Sequence, residues 1–304
     1  MRAVAKFAMR SPIAASVSAA AYALFALFFA PFMIVSGAIV GLATLRHGIG
    51  LGARVTGSAL LITGIAYYSL LDTPAAVVLL LATWIPLMLA AQILRTTENQ
   101  GLALSICAIC AGLYTVIMRF AVPDVDDHWA TRLRTLGNTV KEQGGTFFSD
   151  AEIEQISGVM HHESTIVVVS LFWICSLLVS RWWQSELYNA GGFGTEFRDL
   201  VIPKPLSVVA AIIAGMALVQ LSSGEAHGLA SDLLVVLVVL FAFQGLALIH
   251  HRVNKIGMAK LWLVGFYVLL VLMPHPLGIL LSFIGIADIL LDVRGLRARQ
   301  RPTG

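Results

Sequence analysis

Residues 229–249 read LASDLLVVLVVLFAFQGLALI, an almost unbroken apolar run. A helix that crosses the hydrocarbon core of a bilayer needs about 20 mostly apolar residues, so this run predicts a membrane span. Similar runs lie on both sides of it, and the sequence predicts ten spans: 12–30, 32–45, 55–71, 74–94, 101–121, 164–180, 206–221, 229–249, 257–273 and 276–291. We therefore expect an all-α fold, a polytopic transmembrane helix bundle of about ten spans.

The first two predicted spans allow two interpretations. Pro31 interrupts an otherwise continuous apolar run, and 32–45 is shorter than a full span. The stretch 12–45 can therefore form two spans, or one span followed by a re-entrant segment.

The composition excludes a water-soluble globular protein. Hydrophobic residues make up 58% and charged residues 12% of the 304 positions, against roughly 45–50% and about 25% in soluble domains. The net charge of +3 is too small to indicate a nucleic-acid partner. Cys107, Cys110 and Cys175 lie within apolar runs, where free cysteine behaves as a small hydrophobic residue, so no disulfide framework is expected.

The distribution of basic residues predicts the orientation of the chain. With the N-terminus in the cytoplasm, 16 of the 20 Lys and Arg residues fall on the cytoplasmic side, as the positive-inside rule requires. We expect a multi-pass protein of the bacterial cytoplasmic (inner) membrane with both termini cytoplasmic and an uncleaved N-terminal run. The chain then divides into N-terminal membrane spans (1–122), an external amphipathic segment (123–163), and C-terminal membrane spans with a cytoplasmic tail (164–304).

The external segment is acidic and predicts two short amphipathic helices. It carries eight acidic and three basic residues. Apolar residues recur at helical spacing from Trp129 to Val140, and Gly144-Gly145 ends that pattern. Ser149 and Glu152 have the spacing of a capping box, which predicts that the second helix starts at Ser149.

Polar residues within the spans are the first candidates for function, because a charge in the hydrocarbon core costs at least about 2.5–3.5 kcal/mol. Asp288 lies in the last predicted span, and Asp292 follows one helical turn later on the same face. Gln244 and His250 lie toward the cytoplasmic end of the span 229–249. These four residues are candidates to bind a small-molecule substrate or to carry protons. The alternative is a hydrogen-bonded tie that only joins two helices.

The sequence offers little for other chemistry. It contains no Gly-rich phosphate loop, no Gly-x-Ser-x-Gly motif and no His-Glu-x-x-His motif. His128 with Asp126 and Asp127, and His161-His162 with Glu163, could meet at a divalent-metal site, although their irregular spacing favours a solvated acidic face. We therefore expect no catalytic residues, no bound metal and no cofactor.

Two features are candidates for contact with a second membrane protein. Ala15, Ala19 and Ala23 form a stripe of small residues that lets another helix approach closely, either within the bundle or from a partner. Trp182 and Trp183 begin a glycine-rich loop that either packs under the bundle or docks a partner on the cytoplasmic side.

Three segments in this order resemble the YybS-like bacterial membrane proteins, a family of unknown function. The segments are Arg181-Trp182-Trp183-Gln184 with 188–198, then Phe243-Gln244-Gly245 through His250, then Gly285-Ile286-Ala287-Asp288 with Asp292 and Arg294. That family is distantly similar to the substrate-binding membrane subunits of energy-coupling-factor transporters, whose first helix meets a partner through small residues. The polar cluster of Gln244, His250 and Asp288 favours a small-molecule binding or transport protein. The alternative is a membrane scaffold that recruits partners without a ligand.

Overall fold

The computed structural model describes residues 2–71, 75–122, 124–142, 144–158, 162–224, 228–259 and 261–296. Every regular element in these residues is a helix. In chain order the helices are α1 (Arg2–Ala8), α2 (Pro12–Phe25), α3 (Phe32–His47), α4 (Ile49–Leu71), α5 (Ala75–Thr97), α6 (Gln100–Ala121), α7 (Val125–Glu142), α8 (Asp150–Ser157), α9 (His162–Tyr188), α10 (Gly192–Arg198), α11 (Pro205–Ser222), α12 (Leu229–Ile256), α13 (Leu261–Leu272) and α14 (Pro274–Leu291).

Seven helices in the described part of the chain are long and apolar enough to cross a membrane. These candidate spans are Ile49–Ser69, Leu80–Thr97, Gln100–Ala121, His162–Tyr188, Pro205–Ser222, Leu229–Ile256 and Pro274–Leu291. The three remaining predicted spans coincide with α2, α3 and α13, which have 14, 16 and 12 residues. The predicted all-α membrane fold is therefore confirmed. The count of ten spans is not confirmed, because these three helices are shorter than a typical span.

The first two apolar helices form a hairpin around residues 26–31. Ser11 caps α2 by accepting a hydrogen bond from the N–H of Ala14 at 3.1 Å. Pro12 lies in the first turn, where a backbone N–H has no partner within the helix, so the proline costs no hydrogen bond. The hydroxyl of Ser36 on α3 donates to the carbonyl of Ala19 on α2 at 2.7 Å. Because these two residues lie at similar distances before and after the short connection, α2 and α3 run antiparallel.

The alanine stripe of α2 is buried inside the bundle. Ala15, Ala19 and Ala23 are 3%, 0% and 0% exposed. Besides the bond from Ser36, the hydroxyl of Tyr67 on α4 donates to the carbonyl of Ala23 at 2.6 Å. The stripe therefore packs against α3 and α4. That it also meets a second membrane protein stays a prediction.

The apolar core consists of two clusters that share α3, α5 and α9. One cluster joins these helices to α6, α10, α11, α12 and α14, and the other joins them to α1, α2 and α4. Trp84 and Trp183 are fully buried in the second cluster. Trp182 is half-buried beside it. Because α9 contacts α3 as well as α6 and α12, helices from both sides of the segment 123–163 pack together.

The segment between α6 and α9 contains the two helices α7 and α8, which contact each other. The predicted capping box at the start of α8 is confirmed. Ser149 Oγ accepts the N–H of Glu152 at 3.4 Å, and Glu152 Oε2 accepts the N–H of Ser149 at 2.8 Å. That these helices are amphipathic and lie on a membrane surface stays a prediction.

We expect Ser149→Ala to raise the hydrogen-exchange rate of the α8 amides roughly fivefold, because the cap is lost. The hydrogen bond from the N–H of Ser149, and to a smaller extent the bond from its hydroxyl, lowers the pKa of Glu152. The stabilisation of α8 by the ionised Glu152 is therefore complete at a pH above the ordinary carboxyl pKa. It is lost as the pH falls through the lowered pKa. Ser222→Ala, at the exposed end of α11, should leave α8 unchanged. Equal exchange in wild type and Ser149→Ala would contradict the role of the cap.

Candidate functional site

The candidate site lies where α12 and α14 pack backbone against backbone. A Cβ atom placed on Gly245 would lie 2.1 Å from the carbonyl oxygen of Leu281, and one on Gly285 would lie 2.2 Å from that of Phe241. Only glycine permits this approach. Gln244 precedes one of these glycines and Asp288 follows the other by one turn. The close packing therefore brings their side chains together.

Gln244, Asp288 and Arg294 form a buried set that we call the polar network. Asp288 Oδ2 accepts bonds from Gln244 Nε2 at 2.6 Å and from Arg294 Nε and Nη2 at 3.0 and 2.6 Å. The three residues are 0%, 4% and 5% exposed in that order. The guanidinium balances the carboxylate charge at a site that is almost fully buried.

The polar network also binds the connector, which we define as residues 189–204 between α9 and α11. Arg294 Nη1 and Nη2 donate to the carbonyl oxygens of Arg198 and Leu200 at 2.5 and 2.6 Å. The N–H of Ile202 donates to Gln244 Oε1 at 2.9 Å. Leu200 and Ile202 are buried. The glycine-rich loop is thus packed against the bundle. That it also docks a partner stays a prediction.

A second polar contact holds the connector to α6 and α9. Glu196 Oε2 accepts from Arg181 Nε at 2.8 Å and from Gln100 Nε2 at 3.0 Å, and Arg181 Nη2 also contacts Glu196 Oε1. A Cβ atom on Gly101 would lie 1.9 Å from the carbonyl oxygen of Val201. The connector therefore touches the first residues of α6 as closely as α14 touches α12.

The turn after α14 brings Arg294 back to Asp288. The helix ends at Leu291, and Asp292 takes a left-handed conformation with φ 48°. Asp292 Oδ1 accepts the N–H of Leu296 at 3.0 Å and so stabilises the turn. This corrects the prediction that Asp288 and Asp292 share one helical face, because Asp292 lies beyond the last helical turn.

His250 lies outside the polar network. Its Nε2 is 2.8 Å from the hydroxyl of Tyr267 on α13, and its ring packs edge-on against Phe197 of the connector. Gln244 and Asp288 thus meet as the sequence suggested, whereas His250 and Asp292 make separate contacts. The sequence analysis missed the contact of Arg294 with Asp288. Gly245, beside Gln244, and Gly285, one turn before Asp288, were the features of the sequence that could have predicted the close approach of α12 and α14.

The polar network leaves one position for a further donor. Asp288 Oδ1 is buried and has no hydrogen-bond partner among the described residues. It can accept a bond from water, a proton carrier or a ligand. A metal site is not formed in the described part of the chain, which contains no group of three His, Cys, Asp or Glu side chains placed to bind an ion. His161 lies outside the described residues.

These observations define an α-helical, multi-pass membrane protein whose buried ion pair lies at one end of its helix bundle. The chain belongs to the family described as Predicted membrane protein (DUF2232), whose model matches residues 13–289. No curated protein and no solved structure matches the chain. The YybS-like name and the similarity to energy-coupling-factor subunits are not confirmed by these comparisons.

Proposed function

We propose that the protein binds a small molecule and transports it across the bacterial cytoplasmic membrane, with the polar network closing the cytoplasmic end. The observation that carries this proposal is the ion pair of Asp288 and Arg294, whose side chains are 3% and 1% exposed. Apolar side chains of similar volume often stabilise a core as well as a buried ion pair does, so stability by itself does not explain why the pair is there. Ionisable residues inside membrane bundles commonly lie on substrate or ion pathways.

The polar network closes that end by holding the connector. Release of Arg294 from the carbonyls of Arg198 and Leu200 would expose Gln244 and Asp288 to a passing substrate. His250 and Asp292 flank this opening as further substrate contacts. The proposal involves no catalytic step, cofactor or metal.

The proposed topology has ten spans and both termini in the cytoplasm. It places α2, α3 and α13 in the membrane beside the seven longer helices. The basic residues Arg181, Arg198 and Arg294 near the connector then lie on the cytoplasmic side, in agreement with the positive-inside rule. A distant relationship to the substrate-binding subunits of energy-coupling-factor transporters would fit this arrangement.

Native mass spectrometry in mild detergent tests the proposal. We expect a stoichiometric small molecule on the wild-type protein and reduced occupancy on Asp288→Asn, because a loosened connector speeds release of the ligand. Asp150→Asn, a matched change at an exposed position, should keep the wild-type occupancy. Absence of any small molecule from the wild type, together with wild-type-like connector exchange in Asp288→Asn, would count against transport.

A membrane scaffold is the second candidate, and one observation favours it. Helix α13 contains no buried residue, and Leu261, Trp262 and Val271 are 75%, 66% and 78% exposed. Lipid or a partner helix covers this face. Of the two tryptophans predicted to bind a partner, Trp182 is half-buried and Trp183 is fully buried. A stoichiometric protein partner without a small molecule in the same spectra would favour the scaffold.

A further inference from the structure

A cavity lies at the end of the bundle remote from the connector. It opens between α6, α7 and α9, has a volume of about 60 Å³, and is lined by Tyr114, Met118, His128, Trp129, His162 and Thr165, among others. We call it the distal cavity. Gln100, at the start of α6, contacts the connector. At 1.5 Å per residue, Tyr114 lies about 21 Å further along that helix.

The side chains around the distal cavity combine aromatic faces with a buried nitrogen atom. Tyr114 packs edge-on against Trp173, whose Nε1 donates to the carbonyl of Thr83 at 2.9 Å and so anchors that side of the cavity. Trp129 packs edge-on against His128. His162 Nε2 is buried and has no hydrogen-bond partner among the described residues. A neutral imidazole nitrogen can accept a bond from a ligand N–H.

The segment beside the distal cavity is predominantly acidic. The segment 123–163 carries eight acidic and three basic residues. Asp124, Asp127 and Glu163 lie next to lining residues in sequence, and so does Arg119, whose charge is paired with Asp232. The lining side chains in the described chain include no Lys or Arg. A field of this sign raises the local concentration of cations and repels anions. Aromatic faces attract organic cations.

We propose that the distal cavity binds a small organic cation, an amine or ammonium compound with an apolar group. The aromatic rings of Tyr114 and Trp129 contact the cation and its apolar group, and His162 Nε2 accepts an N–H bond. That the distal cavity is the entry site of a transported molecule rests on the proposed function. That it binds an organic cation does not depend on transport.

Three probes with the same ring test the charge preference. Benzylammonium, benzyl alcohol and benzoate differ mainly in charge, and ligand-observed NMR titration in a neutral detergent measures their binding to the full chain. We expect benzylammonium to bind about tenfold more tightly than benzyl alcohol, and benzoate not to bind. Added salt should weaken the binding of benzylammonium. Equal binding of benzoate and benzylammonium would overturn the proposal.

Variants locate the site of binding. Trp129→Ala should weaken benzylammonium binding about tenfold and His162→Ala about fivefold. Trp129→Phe keeps an aromatic ring and should bind benzylammonium with intermediate strength. This variant keeps the test valid if Trp129→Ala does not fold. Trp262→Ala, on the exposed face of α13, is the matched control and should bind as the wild type does. Wild-type binding by both Trp129→Ala and His162→Ala would place the cation elsewhere and overturn the proposal.

The two proposals fail in different ways. If native mass spectrometry finds a stoichiometric anionic or neutral molecule while benzylammonium does not bind, the cation site is wrong and the transport proposal stands. If benzylammonium binds at Trp129 but no transported molecule is found, the cation site stands and the transport proposal fails.

Discussion

Replacement of Arg294 by alanine is expected to destabilise the protein by about 3–5 kcal/mol. The change leaves the carboxylate of Asp288 buried without its counter-ion, and breaking a buried ion pair from one side carries a penalty of this size. It also removes the two donors that hold the carbonyls of Arg198 and Leu200. Unfolding of the purified protein in detergent, followed by circular dichroism, measures the loss.

Two further variants isolate the cause. Arg252→Ala removes an exposed arginine from the same end of the bundle and should change stability by less than about 0.5 kcal/mol. Asp288→Asn in the Arg294→Ala background should recover part of the lost stability, because it removes the uncompensated charge. Equal unfolding of Arg294→Ala and Arg252→Ala would contradict the buried ion pair.

Gly285→Ala is expected to destabilise the protein by about 1–3 kcal/mol or more, because the new methyl group would lie 2.2 Å from the carbonyl oxygen of Phe241. The helices α12 and α14 must then separate, which stretches the bond of 2.6 Å between Gln244 and Asp288. Hydrogen exchange in the connector should increase in the same variant, because Gln244 and Arg294 hold its backbone. Thermal unfolding and peptide-level exchange measure the two effects.

Gly278→Ala provides the matched control on the same helix. A Cβ atom at Gly278 meets nothing within 4 Å, so this change should be neutral, or slightly stabilising through helix propensity. Similar stability of the two alanine variants would show that α12 and α14 can separate without loss, and would contradict the close packing described here.

The sequence by itself determined where the helices lie. Each of the ten apolar segments became a helix whose ends lie within a few residues of the prediction. Larger differences occur at the ends of α2, α9 and α12 and at the start of α4. The second helix of the acidic segment begins after Ser149, as its capping box predicted. These features depend on hydropathy and on residues within one turn of each other, which the linear sequence contains.

Only the tertiary structure decided which polar groups meet. Asp288 and Gln244 are joined because two glycines let their helices touch, and Arg294 reaches Asp288 because Asp292 leaves the helix in a left-handed turn. Two carbonyls of the connector accept further bonds from Nη1 and Nη2 of Arg294. The spacing of residues along one helix indicates which of them share a face, but it does not indicate which other helix packs against that face. The same reason explains why the sequence alone did not show that the alanine stripe packs against α3 and α4 or that Trp183 is buried.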